Sequence, residues 1–536
     1  MNHHACFPRR NDRLASVEDV SSGRAHFLLC ILGFSSWFFL AVPFASHRET
    51  YWWLFGIRTM GLSKALSYIS VTYRPLAQLF TWLCFVFLDP RIFPTSEVRQ
   101  TIVQLAVYFC FVYAWWLIFS AAINKKALSV VSLVAGAVYF PGYVHLFHIY
   151  GFFYVPVMIL IGIILKVSRQ ELAYASEATL AATALVLILW HPFATFLFTA
   201  YYIGYYMETF RKRSKKNHAE AISIISICLL AIVLAVIIFP RADVRAPFSE
   251  KFLGWYATYR TSEVNSIASG VSYVLSVLTI WTLPVGLRYK AFGSIGATLV
   301  SVAFIALHIP LLLLWLSLVM LKLIVIRNWS LLLLTVAAVV IPWGAVIGAP
   351  VFGLFAVVLA TYATSIQAEW MESVLTVASP VYLPAITIFV VVVIIAMRSG
   401  VTIPVLSHEA APLLAEKERT FQLEYALSWL AKSPYCQDEV SFAVQAESPA
   451  DDVKSVLNRQ HRPPAAIGDV RSFWDGVLRC SGRNIDGSAG TNGDAVITFG
   501  SQIMSSMSPV YSVAGKYAGD ITIWVNSGQR AAAEQH

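Results

Sequence analysis

The chain has 536 residues, of which 58% are hydrophobic and only 13% are charged. A soluble chain carries about a quarter charged residues, so this composition excludes an ordinary soluble protein and predicts a polytopic membrane protein. The formal net charge of +9 does not indicate nucleic-acid binding, because the basic residues lie in short clusters between apolar runs, as membrane topology requires.

The N-terminal tail, residues 1–24, is polar and carries several arginines just ahead of the first apolar run at about 25–46. Positive residues beside a span favour the cytoplasmic side, so the N-terminus is predicted to be cytoplasmic. The apolar run is too long for a cleaved signal peptide. It is therefore interpreted as a first transmembrane span, and the loop at 47–74 follows it on the outer face.

The outer loop at 47–74 contains one carboxylate, Glu49, among four basic side chains and several Trp and Tyr residues. Trp and Tyr favour the headgroup level of a bilayer, and cations at that depth bind lipid phosphates. Two interpretations remain open. The loop is either an ordinary interfacial connection or a site where a lone acid performs proton chemistry on a phosphate-bearing ligand.

The order of the later apolar runs predicts the topology. The basic cluster at 211–216 is the strongest cytoplasmic marker, and it would lie outside if every run crossed. The run at 75–88 gives only about 21 Å of helix against a hydrocarbon core of about 30 Å, so it is predicted to dip in from the outer face and return. The remaining runs begin at about 99, 127, 150, 174, 192, 219, 264, 291, 310, 329, 351 and 379, which leaves about 13 transmembrane helices.

This topology brings polar side chains from four segments to the outer face. They are the loop with Glu49, the turn at 141–150, the break at His191-Pro192 and the loop at 240–263. Such convergence predicts a site at the membrane–water boundary. A structural role is the alternative for each segment, because a histidine before a proline also satisfies freed helix-end carbonyls and a charged loop also serves as a solvated connector.

Residues 399–536 have the composition of a small soluble α/β domain, which the topology places outside the membrane. Residues 413–433 show apolar positions at helical spacing, and Ala495–Phe499 and Asp520–Val525 have the pattern of strands. Cys436 and Cys480 are candidates for a disulfide on an oxidising side. Because this domain lacks nucleotide-binding and nucleophile motifs, chemistry is assigned to the membrane domain at 25–398.

The element Tyr73-Arg74-Pro75-Leu76, placed after a first span, an acid and an outer loop, resembles the GT-C superfamily of integral-membrane glycosyltransferases. The run Ala127–Tyr150, with Pro141 and His145 near its end, is similar to the next outer turn of that family. The resemblance covers about the first 170 residues. It implies a transferase that takes a sugar from a polyprenyl-phosphate donor on the outer face, with a carboxylate of the first outer loop as general base.

Glu49 matches the position of that base, where the family more often has Asp. Many members also carry a second acid in the next outer turn, but here that turn offers His145 and His148 and no acid. A divalent metal is therefore not indicated, and no cofactor is expected. One carboxylate is enough for direct displacement with inversion, whereas retention needs a second one as nucleophile. Glu49 is thus predicted to be the base of an inverting transfer.

The candidate binding residues are basic, aromatic or histidine side chains of the predicted outer face. Guanidinium groups match phosphate in a bidentate way, which favours the arginines as partners of the lipid phosphate. The full set is Arg58, Tyr73, Arg74, His145, His148, His191, Lys251, Tyr256 and Arg260. The expected partners are a polyprenyl-phosphate sugar and a glycan or lipid-linked acceptor, in a bacterial inner or plasma membrane.

Two other functions remain open. An O-antigen-type polysaccharide polymerase or ligase is also polytopic, but it relies on a large late outer loop, and the late loop here is modest. A non-catalytic lipid or glycan transporter should carry ionisable residues in mid-span and an internal repeat. The charges inside the predicted spans, such as Glu208 and Lys322, lie near span ends.

Overall fold

The computed structural model describes residues 23–33, 96–136, 138–139, 151–167, 189–211, 266–343, 349–375, 407–436, 441–445, 481–485, 494–499, 504–515 and 519–526, with single positions elsewhere. Eight of the predicted site residues lie outside the described residues: Glu49, Arg58, Tyr73, Arg74, His145, His148, Lys251 and Arg260. His191 and Tyr256 lie within them.

Helices dominate the described residues. They are α1 Gly23–Gly33, α2 Ser96–Ala121, α3 Lys125–Ala135, α4 Gly151–Val167, α5 Pro192–Arg211, α6 Ser266–Trp281, α7 Leu287–Ala306, α8 Leu311–Val325, α9 Trp329–Val340, α10 Ala349–Ser365, α11 Glu369–Leu375 and α12 Ser407–Lys432. A 3-10 turn, Ile341–Trp343, follows α9. The start of α5 at Pro192 agrees with the predicted run, because proline suits the first turn of a helix, where its missing N–H would lack a partner anyway.

Apolar side chains face outward along α2 and α7. On α2 they recur at helical spacing, and on α7 they cover most of the helix surface. The exposed residues of α2 are Val98, Ile102, Leu105, Phe109, Tyr113 and Trp116, and those of α7 include Leu287, Phe292, Ile295, Leu299, Val302 and Ile305. Apolar faces of this length are typical of helices that contact lipid.

Two of the described helices are long and apolar enough to cross a membrane, namely Val98–Ala121 and Leu287–Ala306. A third span results if α10 and α11 are taken together, although they are bent by 81° at their break. Several other described helices are apolar but shorter. The chain therefore has helices suited to a membrane, while the predicted number of about 13 spans is not confirmed.

Left-handed residues end three of the helices in the described bundle. His308, Arg327 and Gln367 have φ values of 53°, 58° and 56° and follow α7, α8 and α10. After α7, Ile309 N–H donates to Phe304 O at 2.8 Å, the bond that closes a Schellman cap. A non-glycine residue in this region costs about 1–2 kcal/mol, and the resulting reversal brings consecutive helices side by side.

The C-terminal region combines α12 with a five-stranded sheet in the order β2-β1-β3-β5-β4. Its strands are β1 Ser441–Gln445, β2 Ser481–Ile485, β3 Ala495–Phe499, β4 Met507–Val513 and β5 Ile521–Asn526. β1 pairs in parallel with β2 and β3, whereas β5 pairs antiparallel with β3 and β4. The predicted strand at 495–499 is confirmed, and the one at 520–525 is shifted by one residue.

Helix α12 covers the sheet. Trp429 stacks on Tyr511 of β4 with ring centroids 4.8 Å apart. Gln422 Nε2 donates to the carbonyls of Val513 and Gly519 at 3.3 and 2.9 Å. Cys436, just beyond this helix, is disulfide-bonded, while Cys480 lies outside the described residues. The predicted pairing of these two cysteines stays a prediction.

Candidate site at the aromatic end of the bundle

One end of the bundle, called the basic end here, is rich in charged side chains. Basic residues begin or follow the helices there: Lys125, Lys126, Arg288, Lys290 and Arg327. Hydrogen bonds connect the helix ends at the basic end. Asn124 Nδ2, between α2 and α3, donates to Ser365 O at the end of α10 at 3.0 Å. The positive-inside rule predicts that this end faces the cytoplasm.

Lys322 is the most deeply buried charge at the basic end. Its Nζ donates to Thr282 Oγ1 at 2.7 Å, beyond the end of α6. It also donates to the carbonyls of Thr364 and Ile366 at 3.1 and 2.6 Å. A cation at a helix C-terminus is stabilised by the exposed carbonyls and the helix dipole. The position of Lys322 near a span end was apparent in the sequence, but its burial at the break after α10 was not.

The opposite end, called the aromatic end, is centred on His191. The His191 ring lies 5.3 Å from the Tyr154 ring and 5.5 Å from the Phe352 ring, and the latter two rings are 5.4 Å apart. These side chains come from the first turns of α4 and α10 and from the residue before α5. The carbonyl of His191 accepts the Ala194 N–H at 2.9 Å. His191 thus begins α5, and its fully buried ring packs in an aromatic trio.

Phe80 connects this trio to the first outer segment. It lies at a helical position shortly after Pro75. Its ring is 5.6 Å from Phe152 and 5.5 Å from Trp190, the residue before His191. Trp190 Nε1 in turn donates to Phe153 O at 3.1 Å. Phe80 therefore packs against Trp190, the residue directly before His191.

Residues of the 240–263 loop also pack at the aromatic end. Trp255 Nε1 and Tyr259 Oη both donate to Val339 O near the end of α9, at 2.8 and 3.0 Å. The Tyr259 ring lies 6.4 Å from that of Tyr139. A Cβ on Gly353, next to Phe352, would come within 2.7 Å of the Tyr139 hydroxyl. The glycine is therefore required for this close packing.

The structure gives the contacts of the two predicted site residues that it describes, His191 and Tyr256. Tyr256, predicted to bind substrate, donates its hydroxyl to His308 O at 2.7 Å, which ties the loop to the end of α7. His191 has the buried environment of the structural alternative, a helix-end histidine. Both lie at the aromatic end, where Phe80, Trp255 and Tyr259 also pack.

The ion pair between Arg99 and Glu424 joins the bundle to the C-terminal region. Arg99, in the first turn of α2, donates through Nη2 to Glu424 Oε1 of α12, and both side chains are 3% exposed. Burial raises the pKa of the Glu424 carboxyl, and the guanidinium opposes that shift because it stays charged. This pair was missed in the sequence, because its members lie 325 positions apart and no local pattern relates them.

Among the described residues, no group of three or more His, Cys, Asp or Glu side chains could hold a metal ion. At the aromatic end the Phe80 ring is exposed and suits contact with a sugar or prenyl chain, whereas the rings of His191, Tyr154 and Phe352 are fully buried. Comparison with protein-family models, with curated proteins and with solved structures finds no match.

Proposed function

We propose that this chain is an integral-membrane glycosyltransferase. It moves a sugar from a polyprenyl-phosphate donor to a glycan or lipid-linked acceptor on the extracytoplasmic face, with inversion at the anomeric carbon. The N-terminus and the basic end face the cytoplasm, and the aromatic end faces outward. The polyprenyl-phosphate sugar and its acceptor are the partners, and the proposal includes no cofactor.

The packing of Phe80 beside Trp190 and Phe152 is the observation that carries the proposal. Phe80 lies shortly after Arg74 and Pro75 in the sequence, and for this reason the Tyr-Arg-Pro-Leu element is proposed to lie near the aromatic end. A site there would combine the cations of the 47–74 loop with the rings around His191. Such a combination suits a ligand with a phosphate at one end of a sugar.

The chemistry requires two groups. A base must take the proton of the acceptor hydroxyl as it attacks the anomeric carbon, and positive charge must stabilise the departing lipid phosphate. Glu49 is proposed as the base. Arg74 and Arg58 are proposed to bind the phosphate, with Lys251 or Arg260 from the later loop closing over it.

The variant Glu49→Gln tests the proposal, because an amide of the same shape cannot accept the proton. Transfer of radiolabelled sugar from undecaprenyl-phosphate sugars in proteoliposomes should fall by about 10²–10⁴, with unchanged expression. Glu263→Gln, in the other predicted outer loop, is the matched control and should retain activity. Most of the wild-type activity remaining in Glu49→Gln would remove Glu49 as the base.

A lipid or glycan transporter is the second candidate function. Lys322 favours it, because a buried ionisable residue at the break between α10 and α11 is a feature that transporters use for coupling. Flipping of a fluorescent lipid-linked sugar without transfer to any acceptor would support that function against the transferase.

A further inference from the structure

Buried hydroxyl groups in this bundle usually bond to their own helix. Serine and threonine side chains donate to the carbonyl four residues earlier, which satisfies a polar group inside an apolar helix bundle. Examples are Ser132, Ser272, Ser276, Thr279, Ser301, Thr335 and Thr361, with donor–acceptor distances of 2.6–2.8 Å.

Thr195 and Thr199 of α5 are different. The two residues are only 3% and 5% exposed, and their hydroxyl oxygens have no hydrogen-bond partner among the described residues. The carbonyl four residues before Thr195 is that of His191, and the one four residues before Thr199 is that of Thr195. Neither threonine hydroxyl donates a hydrogen bond to that carbonyl. Two adjacent turns of one helix therefore each bury a hydroxyl group that is not bonded to the helix backbone.

Thr195 and Thr199 follow His191 along helix α5, in the direction that leads from the aromatic trio towards the middle of the bundle. His191, Thr195 and Thr199 are spaced four residues apart, so they follow one another along one side of α5. Gly204 and Glu208, which contact α9, point to another side of the helix. The polar line thus begins at His191, between Tyr154 and Phe352, and continues towards the middle of α5.

Burying a hydroxyl group without a partner costs free energy, so two in one line indicate a ligand that supplies hydrogen bonds. A threonine hydroxyl both donates and accepts, which matches the hydroxyl groups of a sugar. A prenyl chain offers neither donor nor acceptor.

We infer that His191, Thr195 and Thr199 line a binding site for the sugar ring of the lipid-linked donor. This inference rests on the proposed transferase and assigns the sugar-recognition surface to one side of α5. The two threonines hydrogen-bond the sugar hydroxyl groups.

The test uses the full-length protein with Thr195→Val, Thr199→Val and the double variant, which remove the hydroxyl groups and keep the shape. Thr361→Val is the matched control, because its hydroxyl already bonds to Val357 O at 2.7 Å. The probes are undecaprenyl phosphate linked to glucose, mannose or galactose, against undecaprenyl phosphate alone. Thermal shift and transfer rates are both measured.

In the wild type, at least one sugar-bearing probe should raise the Tm more than undecaprenyl phosphate does. The double valine variant should lose that difference and at least tenfold in kcat/KM, without a lower Tm in the absence of lipid. Thr195→Ser and Thr199→Ser should bind the sugar-bearing probe as the wild type does, because they keep the hydroxyl groups that valine removes. Thr361→Val should bind and transfer like the wild type.

Three results would overturn the inference. In the first, the double valine variant transfers sugar and distinguishes the probes as well as the wild type does. The two threonines would then contact water and not the sugar, while the proposed transferase would stand. A Tm lowered without lipid, and not restored by serine, would make the threonines structural. If no probe is transferred or distinguished from undecaprenyl phosphate by the wild type, the proposed function fails together with the inference.

Discussion

Two sets of buried polar groups in the bundle differ in their hydrogen bonding. At the basic end, Lys322, Asn124 and Glu208 each bond to the terminus of a neighbouring helix. Near the aromatic end, the hydroxyl groups of Thr195 and Thr199 are buried without a partner among the described residues. This difference supports the proposed ligand site at the aromatic end, because a buried hydroxyl group without a partner costs free energy.

The largest expected effect comes from Arg99→Ala, which tests whether the C-terminal region is fixed to the bundle. Removing one partner of a buried ion pair costs about 3–5 kcal/mol, and Glu424 would remain desolvated. Thermal or denaturant unfolding in detergent measures the loss. The exchange Arg99→Glu with Glu424→Arg should recover part of it, and unchanged stability of Arg99→Ala would contradict the ion pair.

This loss of stability should depend on pH. Without Arg99, burial holds the pKa of the Glu424 carboxyl above its unfolded value of about 4.3. The folded variant then binds more protons than the unfolded one, so its stability falls as the pH rises above that value. The deficit of Arg99→Ala should therefore be larger at neutral pH than near pH 4, and a deficit that grows on acidification would contradict this account.

Lys322→Met at the basic end should have the next largest effect. It leaves the carbonyls of Thr364 and Ile366 without their charged donor, and hydrogen bonds of charged groups contribute about 1.5–3 kcal/mol. The Tm should fall markedly, whereas Arg288→Ala, at an exposed position, should leave it nearly unchanged. A Tm equal to that of the wild type would show that the basic end does not depend on this lysine.

The smallest expected effect is a gain in stability from Gln367→Gly. Gln367 has a φ of 56° after α10, a conformation that glycine adopts without steric cost. The free energy of unfolding should rise by about 0.5–1 kcal/mol. Gln367→Ala keeps the Cβ and should give no gain; an equal gain in both variants would exclude relief of backbone strain.

The sequence predicted many of the described helices because apolar runs and prolines mark them. α5, α8 and α10 begin within about two residues of the predicted runs, and β3 agrees with its predicted strand. β1 and β2 were not predicted, because five-residue strands carry little periodicity of their own. The helix Glu369–Leu375 was also missed, since it is short and contains charged residues.

The candidate site was less accessible to sequence reasoning. The convergence of His191 and the 240–263 loop at one end followed from counting spans, and the described residues support that arrangement. Arg99 and Glu424 could not be paired, because a contact between distant segments leaves no local pattern. The threonines of α5 look like ordinary helix residues until their missing backbone bonds are seen.

The central claim is that the lipid-linked sugar binds at the aromatic end of the bundle. Photo-crosslinking tests this claim most directly. An undecaprenyl-phosphate sugar with a diazirine on its first isoprene unit would be irradiated with the full-length protein, and the labelled peptides would be mapped by mass spectrometry. The account predicts labels around Phe80, Trp190 and His191 that excess unlabelled lipid-linked sugar removes. Specific labels confined to the basic end, around Lys322 and Arg327, would contradict it.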